Sequence, residues 1–312
     1  MIFPDILKLG GSTNRLVINK HLGEKKRVGI VAFGGSGHEP ALSGYVGEGM
    51  LDVDIVGEIF AAPGPQEVLE GIKLADTGMG VLLIVLNHTG DVLTSDVVMS
   101  VAQEQSINVK RIIVCDDISV YSRDERLERR GMVGGVMMQH IAGAASARGY
   151  SLDSVYRVCN RFNLNTATIS VASSGATHPL NGMPITIVPV NEMMIGVGQH
   201  GENIGKRLPF LSADSTAEYM INLLINDLNL KAGEQCMLVI NGSGSTSMME
   251  MYIVFRKAAM ILKSMGIQMS ASYCGEILTT QEQAGFQMML SRMDTELLEL
   301  WKTSCKTPYY SR

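Results

Sequence analysis

Two histidines and an aspartate stand on glycine-rich stretches, where backbone without Cβ atoms lets a small ligand come close. His38 ends the stretch Phe33-Gly34-Gly35-Ser36-Gly37-His38 and is followed by Glu39 and Pro40. His200 lies between Gly198 and Gly201 in "GVGQHGENIGKRLPF" (196–210), with Glu202 next but one. Asp91 closes "NHTGD" (87–91). A neutral imidazole is nucleophilic enough to add to a reactive carbonyl. A second imidazole and a carboxylate can handle a hydroxyl proton. A phosphate-binding loop would place Lys and then Ser or Thr after its last glycine, whereas Gly37 is followed by an imidazole. The set suits a small polyhydroxy carbonyl compound, and the residues alone do not name it. Each stretch taken singly has a plainer reading. The first is a glycine turn closing over a helix with His38 as a cap, Asp91 is a helix cap or turn residue, and His200 is a surface turn. His21, His88, His140 and His178 lack such settings and are assigned structural or surface roles.

These groups must be positioned by strands and helices, and the first half of the chain reads as an alternation of the two. "RVGIVAF" (27–33), "VDIVGEIF" (53–60), "GVLLIVLN" (80–87) and "VKRIIVCDD" (109–117) are predicted strands. Residues 64–76, 93–106, 134–149 and 151–163 are predicted helices, with Thr94 or Ser95 and then Ser151 as caps. Continuous apolar strands between helices indicate an α/β sheet, where ligands gather at the C-terminal strand ends. Beyond residue 165 the order is less regular. Strands are predicted in "TATISVASS", "PITIVPV", "QCMLVING" and "IQMSASYCGEI", with a helix over 215–230 and a long helix after "GSGSTS". Two α/β domains are therefore expected, each a sheet flanked by helices: 1–165 with the His38 and Asp91 loops, and 166–312 with His200.

Bulk properties narrow the class. The 312 residues include 46% hydrophobic and 18% charged positions, which suits a large packed core. A net charge of −5 argues against direct nucleic-acid binding. No apolar run reaches membrane-spanning length, the start lacks the pattern of a signal peptide, and a cytoplasmic location is expected. Five scattered cysteines form no C-x-x-C, so reduced core thiols are expected, with no metal site. The 21 methionines are read as core fillers before adaptable contact surfaces.

At these loops and over nearly its whole length the chain resembles the dihydroxyacetone kinase family, at its dihydroxyacetone-binding (DhaK-like) subunit. The shared stretches include "GGSGHEPALSGYVGEGMLD", "GEIFAAPGPQEVLEGIK", "GVLLIVLNHTGDVL", "RRGMVGGV", "IAGAASARGYSLD", "NEMMIGVGQHGE" and "NGSGSTSMMEMYIV". The resemblance implies a homodimer of two-domain subunits in which His200 captures the ketone as a covalent hemiaminal. Gly35, Ser36, Gly37 and His38 would line the ligand, with His38 and Asp91 hydrogen-bonded to its hydroxyls. No cofactor is implied on this chain, since the nucleotide of a kinase is held by a separate subunit.

Departures from the family pattern point away from phosphoryl transfer. Where kinase subunits read "KNYTGD" this chain reads "LNHTGD", so Leu86 replaces a lysine beside the substrate. Losing that charge should hurt transfer more than ketone binding. "TTQEQAGFQ" (279–287), "GSTSMMEMY" (244–252) and "CDDISV" (115–120) also depart and suggest altered partner-facing surfaces. A coactivator branch (DhaQ-like), which binds dihydroxyacetone and a TetR-type transcriptional regulator, is the expected class. A substrate-binding subunit of a phosphotransferase-system-dependent kinase is the alternative.

Overall fold

Runs of β-branched and apolar residues become buried strands, and the segments between them become helices that cover the sheets. The computed structural model describes residues 2–312, with backbone alone at residues 203 and 204. The chain forms two compact units. One comprises residues up to Val114, Gly135–Asn163 and Glu299–Arg312, and the other comprises Cys115–Gly134 and Leu164–Leu298.

The first unit contains β1 (Leu7–Gly10), β2 (Leu16–Asn19), β3 (Gly29–Ser36), β4 (Val53–Ile59), α1 (Pro65–Ala75), β5 (Val81–Leu86), α2 (Thr89–Glu104), β6 (Val109–Val114), α3 (Gly134–Ala147) and α4 (Leu152–Leu164). Its sheet runs β1-β2-β4-β3-β5-β6. The helical crossovers through α1 and α2 make β4, β3, β5 and β6 parallel. The β1–β2 hairpin joins antiparallel at the β4 edge. β5, "VLLIVL", is buried along its whole length, as a central parallel strand must be. Val31, Phe33, Ile55, Leu83 and Val85 of the sheet pack with Val68 and Ile72 of α1.

The second unit contains β7 (Thr166–Ala172), β8 (Glu192–Val197), β9 (Asn203–Pro209), α5 (Ala213–Leu228), β10 (Gln235–Gly242), α6 (Met248–Ser264), β11 (Gln268–Glu276), β12 (Gly285–Arg292) and the start of α7 (Thr295–Trp301). Its sheet runs β11-β10-β12-β7-β8-β9, with β10 and β11 parallel and the other neighbouring strands antiparallel. Ser212 caps α5 by accepting from the Ser215 amide at 3.2 Å. Ser247 and Glu250 form a capping box on α6. Met220, Leu224, Met251 and Val254 of these helices close over Ile169, Leu238 and Met288 of the sheet.

The expected pair of α/β sheets is present, but the units differ from a single division after residue 165. Residues 115–134 join the second unit because Asp117 bridges to Thr168 in parallel and buried Asp116 accepts bonds from the Met132 and Gly134 amides and the Thr168 hydroxyl. The last residues return to the first unit. Lys306 pairs with Glu48 through the backbone, and Trp301 stacks 4.7 Å from His140. Two elements also differ from expectation. "PITIVPV" is not a strand, its two prolines withholding ladder donors, and the neighbouring strand is β8. α2 begins at Thr89 rather than 93, which puts Asp91 in its first turn. His140 is buried against aromatic rings, and four of the five cysteines are buried with Cys274 half-buried. Among the described residues no helix is long and apolar enough to cross a membrane.

Candidate functional site

In the first unit three neighbouring parallel strands end on the loops that carry the expected residues. β3 runs into Gly37 and His38, β4 into Phe60, and β5 into the start of α2 with Asp91. The Phe60 amide donates to the Ser36 carbonyl at 2.9 Å. Its ring lies 5.0 Å from the His38 ring, tilted by 38°. Two glycines make this closeness possible. A Cβ on Gly35 would stand 2.6 Å from the Ala61 nitrogen, and Gly37, at φ +94°, would meet the Phe60 ring at 2.8 Å. The Thr94 hydroxyl donates to the Pro63 carbonyl at 3.2 Å, tying α2 to the loop after β4. The structure thus brings Gly35, Ser36, Gly37, His38 and the Asp91 turn together around residues 60–63.

The side chains divide between scaffold and chemistry. The Ser36 hydroxyl donates to the Gly57 carbonyl at 2.8 Å, and Glu39 accepts from the Gly37 amide at 3.1 Å. Both brace the turn. His38 is buried at 2% exposure. Asp91 is buried too, its Oδ1 has no hydrogen-bond partner among the described residues, and burial pushes its carboxyl up to about 7. A buried carboxyl titrating near neutrality can both donate and accept. Asp54, on β4, is fully buried and likewise pushed up to about 7, accepting from the Ser43 hydroxyl at 2.6 Å. Leu86 is 6% exposed, and its Cδ2 lies so near Gly135 that an added Cβ there would stand 2.4 Å away. The end of β5 therefore presents an apolar group packed on the start of α3.

In the second unit His200 sits in the turn between β8 and β9, held by backbone-directed bonds. The Gly198 amide donates to the Glu202 carbonyl at 2.8 Å, and the Thr280 hydroxyl to the Gln199 carbonyl at 2.8 Å. The Thr186 hydroxyl donates to the Gly201 carbonyl. Glu202 Oε2 accepts from the His200 amide at 2.9 Å and lies 4.0 Å from Nδ1. Burial lowers the His200 pKa below the ordinary imidazole value; Glu202 opposes this and Arg130 adds to it. The ring is therefore neutral at pH 7, the state a nucleophile needs. Sequence reasoning missed Phe60, Arg130 and Asp117. The pair of acids ending "VKRIIVCDD" and the "RRG" stretch were the visible signals, without a sign of what they face.

The comparisons agree with this architecture. A family model described as the Dak1 domain matches residues 1–309. A dihydroxyacetone-binding subunit DhaK of a PTS-dependent dihydroxyacetone kinase of Listeria innocua is 36% identical, covering 95% of this chain and 89% of its own. The corresponding subunit of a PEP-dependent kinase of Escherichia coli is 31% identical over 90% of this chain and 86% of its own. Among solved structures, a dihydroxyacetone kinase operon co-activator, DhaQ, superimposes with a TM-score of 0.92 at 27% identity, covering 98% of this chain and 94% of that one. The dihydroxyacetone kinase of C. freundii superimposes with a TM-score of 0.88 at 28% identity, over 98% of this chain and 56% of that one. With the family model running almost end to end and two sheets that match these relatives, the chain belongs to the Dak1 domain family.

Proposed function

We propose that this protein binds dihydroxyacetone or a similar short ketose covalently and reports its presence to a protein partner. Capture rests on His200. Glu202 beside Nδ1 favours the proton there, which leaves the lone pair on Nε2. That pair adds to the ketone carbon, the carbonyl π pair moves to oxygen, and the imidazole proton is passed on so that oxygen ends as hydroxyl. The product is a neutral hemiaminal: the C–N and O–H bonds form, and the carbonyl π bond and the imidazole N–H bond break. Glycerol has similar hydroxyls and no carbonyl, so the chemistry itself selects the ligand. His38 and Asp91 are assigned to hydrogen bonds with the ligand's hydroxyls, and Gly35, Ser36 and Gly37 to its backbone cradle.

Leu86 is the observation that favours a sensor over a kinase subunit. Phosphoryl transfer spreads negative charge over the moving group and relies on cations around it. A buried leucine in that place contributes none, while ketone addition has no need of one. The sensor reading takes a TetR-type regulator as partner, with a homodimer of this chain in the cytoplasm. The ligand shifts regulator affinity by as much as its own affinity differs between two states. The alternative, a substrate-binding kinase subunit served by a nucleotide-binding subunit, is favoured by the names of the relatives and by retention of His38, Asp91 and His200.

The test is reconstitution with the nucleotide-binding and phosphotransferase proteins of a dihydroxyacetone kinase, following dihydroxyacetone phosphate. Carbonyl-labelled dihydroxyacetone is observed in parallel by carbon NMR, where capture converts the carbonyl resonance to that of a tetrahedral carbon. Capture without turnover is the expected outcome. Turnover at the rate of a kinase subunit would make the protein an enzyme subunit, and absence of the tetrahedral signal would overturn both readings.

A further inference from the structure

The two arginines of the "RRG" stretch pair with different parts of the second unit. Arg129 is buried and forms ion pairs with Asp227 of α5 at 2.6 Å, where Arg123 also pairs at 3.0 Å. That is an anchor between a loop and a helix. Arg130 faces the His200 turn instead. Its Nε donates to Asp117 Oδ2 at 2.9 Å, and one terminal nitrogen reaches the same oxygen at 2.7 Å. That nitrogen also donates to the Gly196 carbonyl, the next-to-last residue of β8, at 2.8 Å. The other terminal nitrogen donates to Glu202 Oε1 at 2.9 Å, while Oε2 of the same carboxylate holds the His200 amide.

The geometry points to Arg130 as a positioning residue for covalent capture: through Glu202 and Gly196 it holds the turn that aims His200. The inference deepens the proposed function and rests on it. Asp117 is buried at 1% side-chain exposure, so the ion pair that fixes the guanidinium is shielded from water and its fork geometry is set. A fixed guanidinium then orients the more exposed Glu202, which would otherwise sample several rotamers. Both oxygens of Glu202 are thereby assigned, one to the cation and one to the His200 amide, and the carboxylate is held 4.0 Å from Nδ1. As Nε2 adds to the carbonyl, positive charge develops on the imidazole, and the fixed carboxylate offsets it. The only charge transferred is the proton of the hemiaminal step, so Arg130 takes no part in bond making.

The test compares Arg130→Met, Arg130→Lys and Glu202→Gln in the full-length protein, with three measurements. Carbon NMR of carbonyl-labelled dihydroxyacetone gives the capture constant. Hydrogen exchange, without ligand, gives protection of the His200 amide. Denaturant unfolding gives global stability. Misplacing a reacting group by about 1 Å can cost on the order of 100-fold. Arg130→Met is expected to weaken capture by about that factor and raise exchange at His200 while amides of β10 stay protected. Lysine, which keeps the charge and loses the fork, is expected to restore part of both. Glu202→Gln is expected to weaken capture, and combining it with Arg130→Met to add little further, because the two act as one unit. Unchanged capture in Arg130→Met, or a loss that merely follows global unfolding with β10 equally deprotected, would overturn the inference. If Arg130→Met does not fold, undiminished capture in Glu202→Gln does the same. Wild-type protein with no tetrahedral signal, yet with His200 protection lowered in Arg130→Met, would reject the capture reading and leave the turn-holding half of the inference standing.

Discussion

Single residues carry the chemistry, and their protonation states follow from burial. His200→Ala is expected to abolish the tetrahedral signal. In the wild type, capture should fall with acidification at a midpoint below 6.5, because burial lowers the ring's pKa and only the neutral ring adds to a ketone. A midpoint above 6.5 would show that Glu202 outweighs burial. Asp54 makes the opposite kind of statement. Its folded pKa is raised from 3.8 to about 7, so the unfolded state ionises first. The stability it supports is full below pH 4 and is lost as pH rises towards 7, a swing on the order of 3–4 kcal/mol. Asp54→Asn should flatten that part of the pH–stability curve, measured by urea unfolding at pH 4, 5.5 and 7. An unchanged slope would mean the carboxyl is ionised throughout. Asp91 shifts in the same direction and would remain in the variant.

Elements set what those residues can reach. The parallel order β4-β3-β5 places three loop starts side by side at the C-terminal edge of one sheet, which is why His38, Phe60 and the Asp91 turn cluster. β5 also ends on Leu86, packed beside Gly135 at the start of α3. Leu86→Lys should raise any phosphoryl transfer measured with a cognate nucleotide-binding subunit. It should also lower stability by roughly 1–3 kcal/mol, since a cation must leave water at a position only 6% exposed. No gain in transfer would show that charge at this strand end is not what separates sensor from kinase.

The whole chain ties its C-terminus back to its beginning. Trp301, the one tryptophan, is buried against His140, and Tyr310 lies 5.6 Å from the same imidazole. Burial pushes the His140 pKa down to about 4, so it packs as a neutral ring. Trp301→Ala is expected to cost about 3–5 kcal/mol, the usual range for emptying a large aromatic site. Urea unfolding followed by circular dichroism checks this. A cost under about 1 kcal/mol would mean the tail is an appendage rather than part of the first unit's core.

The alternation of apolar strands with amphipathic helices was readable directly, because periodicity and β-branched runs are local properties. His38, Asp91 and His200 could be singled out as candidates in the same way, since glycine spacing marks them without any knowledge of neighbours. Strands β1, β2, β8, β9 and β12 were not legible: they are short or weakly patterned, and pairing makes them strands, β1 with β2 and β8 with β9 as neighbours in the chain, and β12 with β7 across a long separation. The return of residues 299–312 to the first unit, and the assignment of 115–134 to the second, likewise depend on long-range contacts. So does the difference between Arg129 and Arg130, identical neighbours in sequence with separate partners 98 and 72 residues away. Composition and spacing decided which groups could react. Folding decided which carboxylate each arginine meets, and therefore which of the two stands beside the His200 turn.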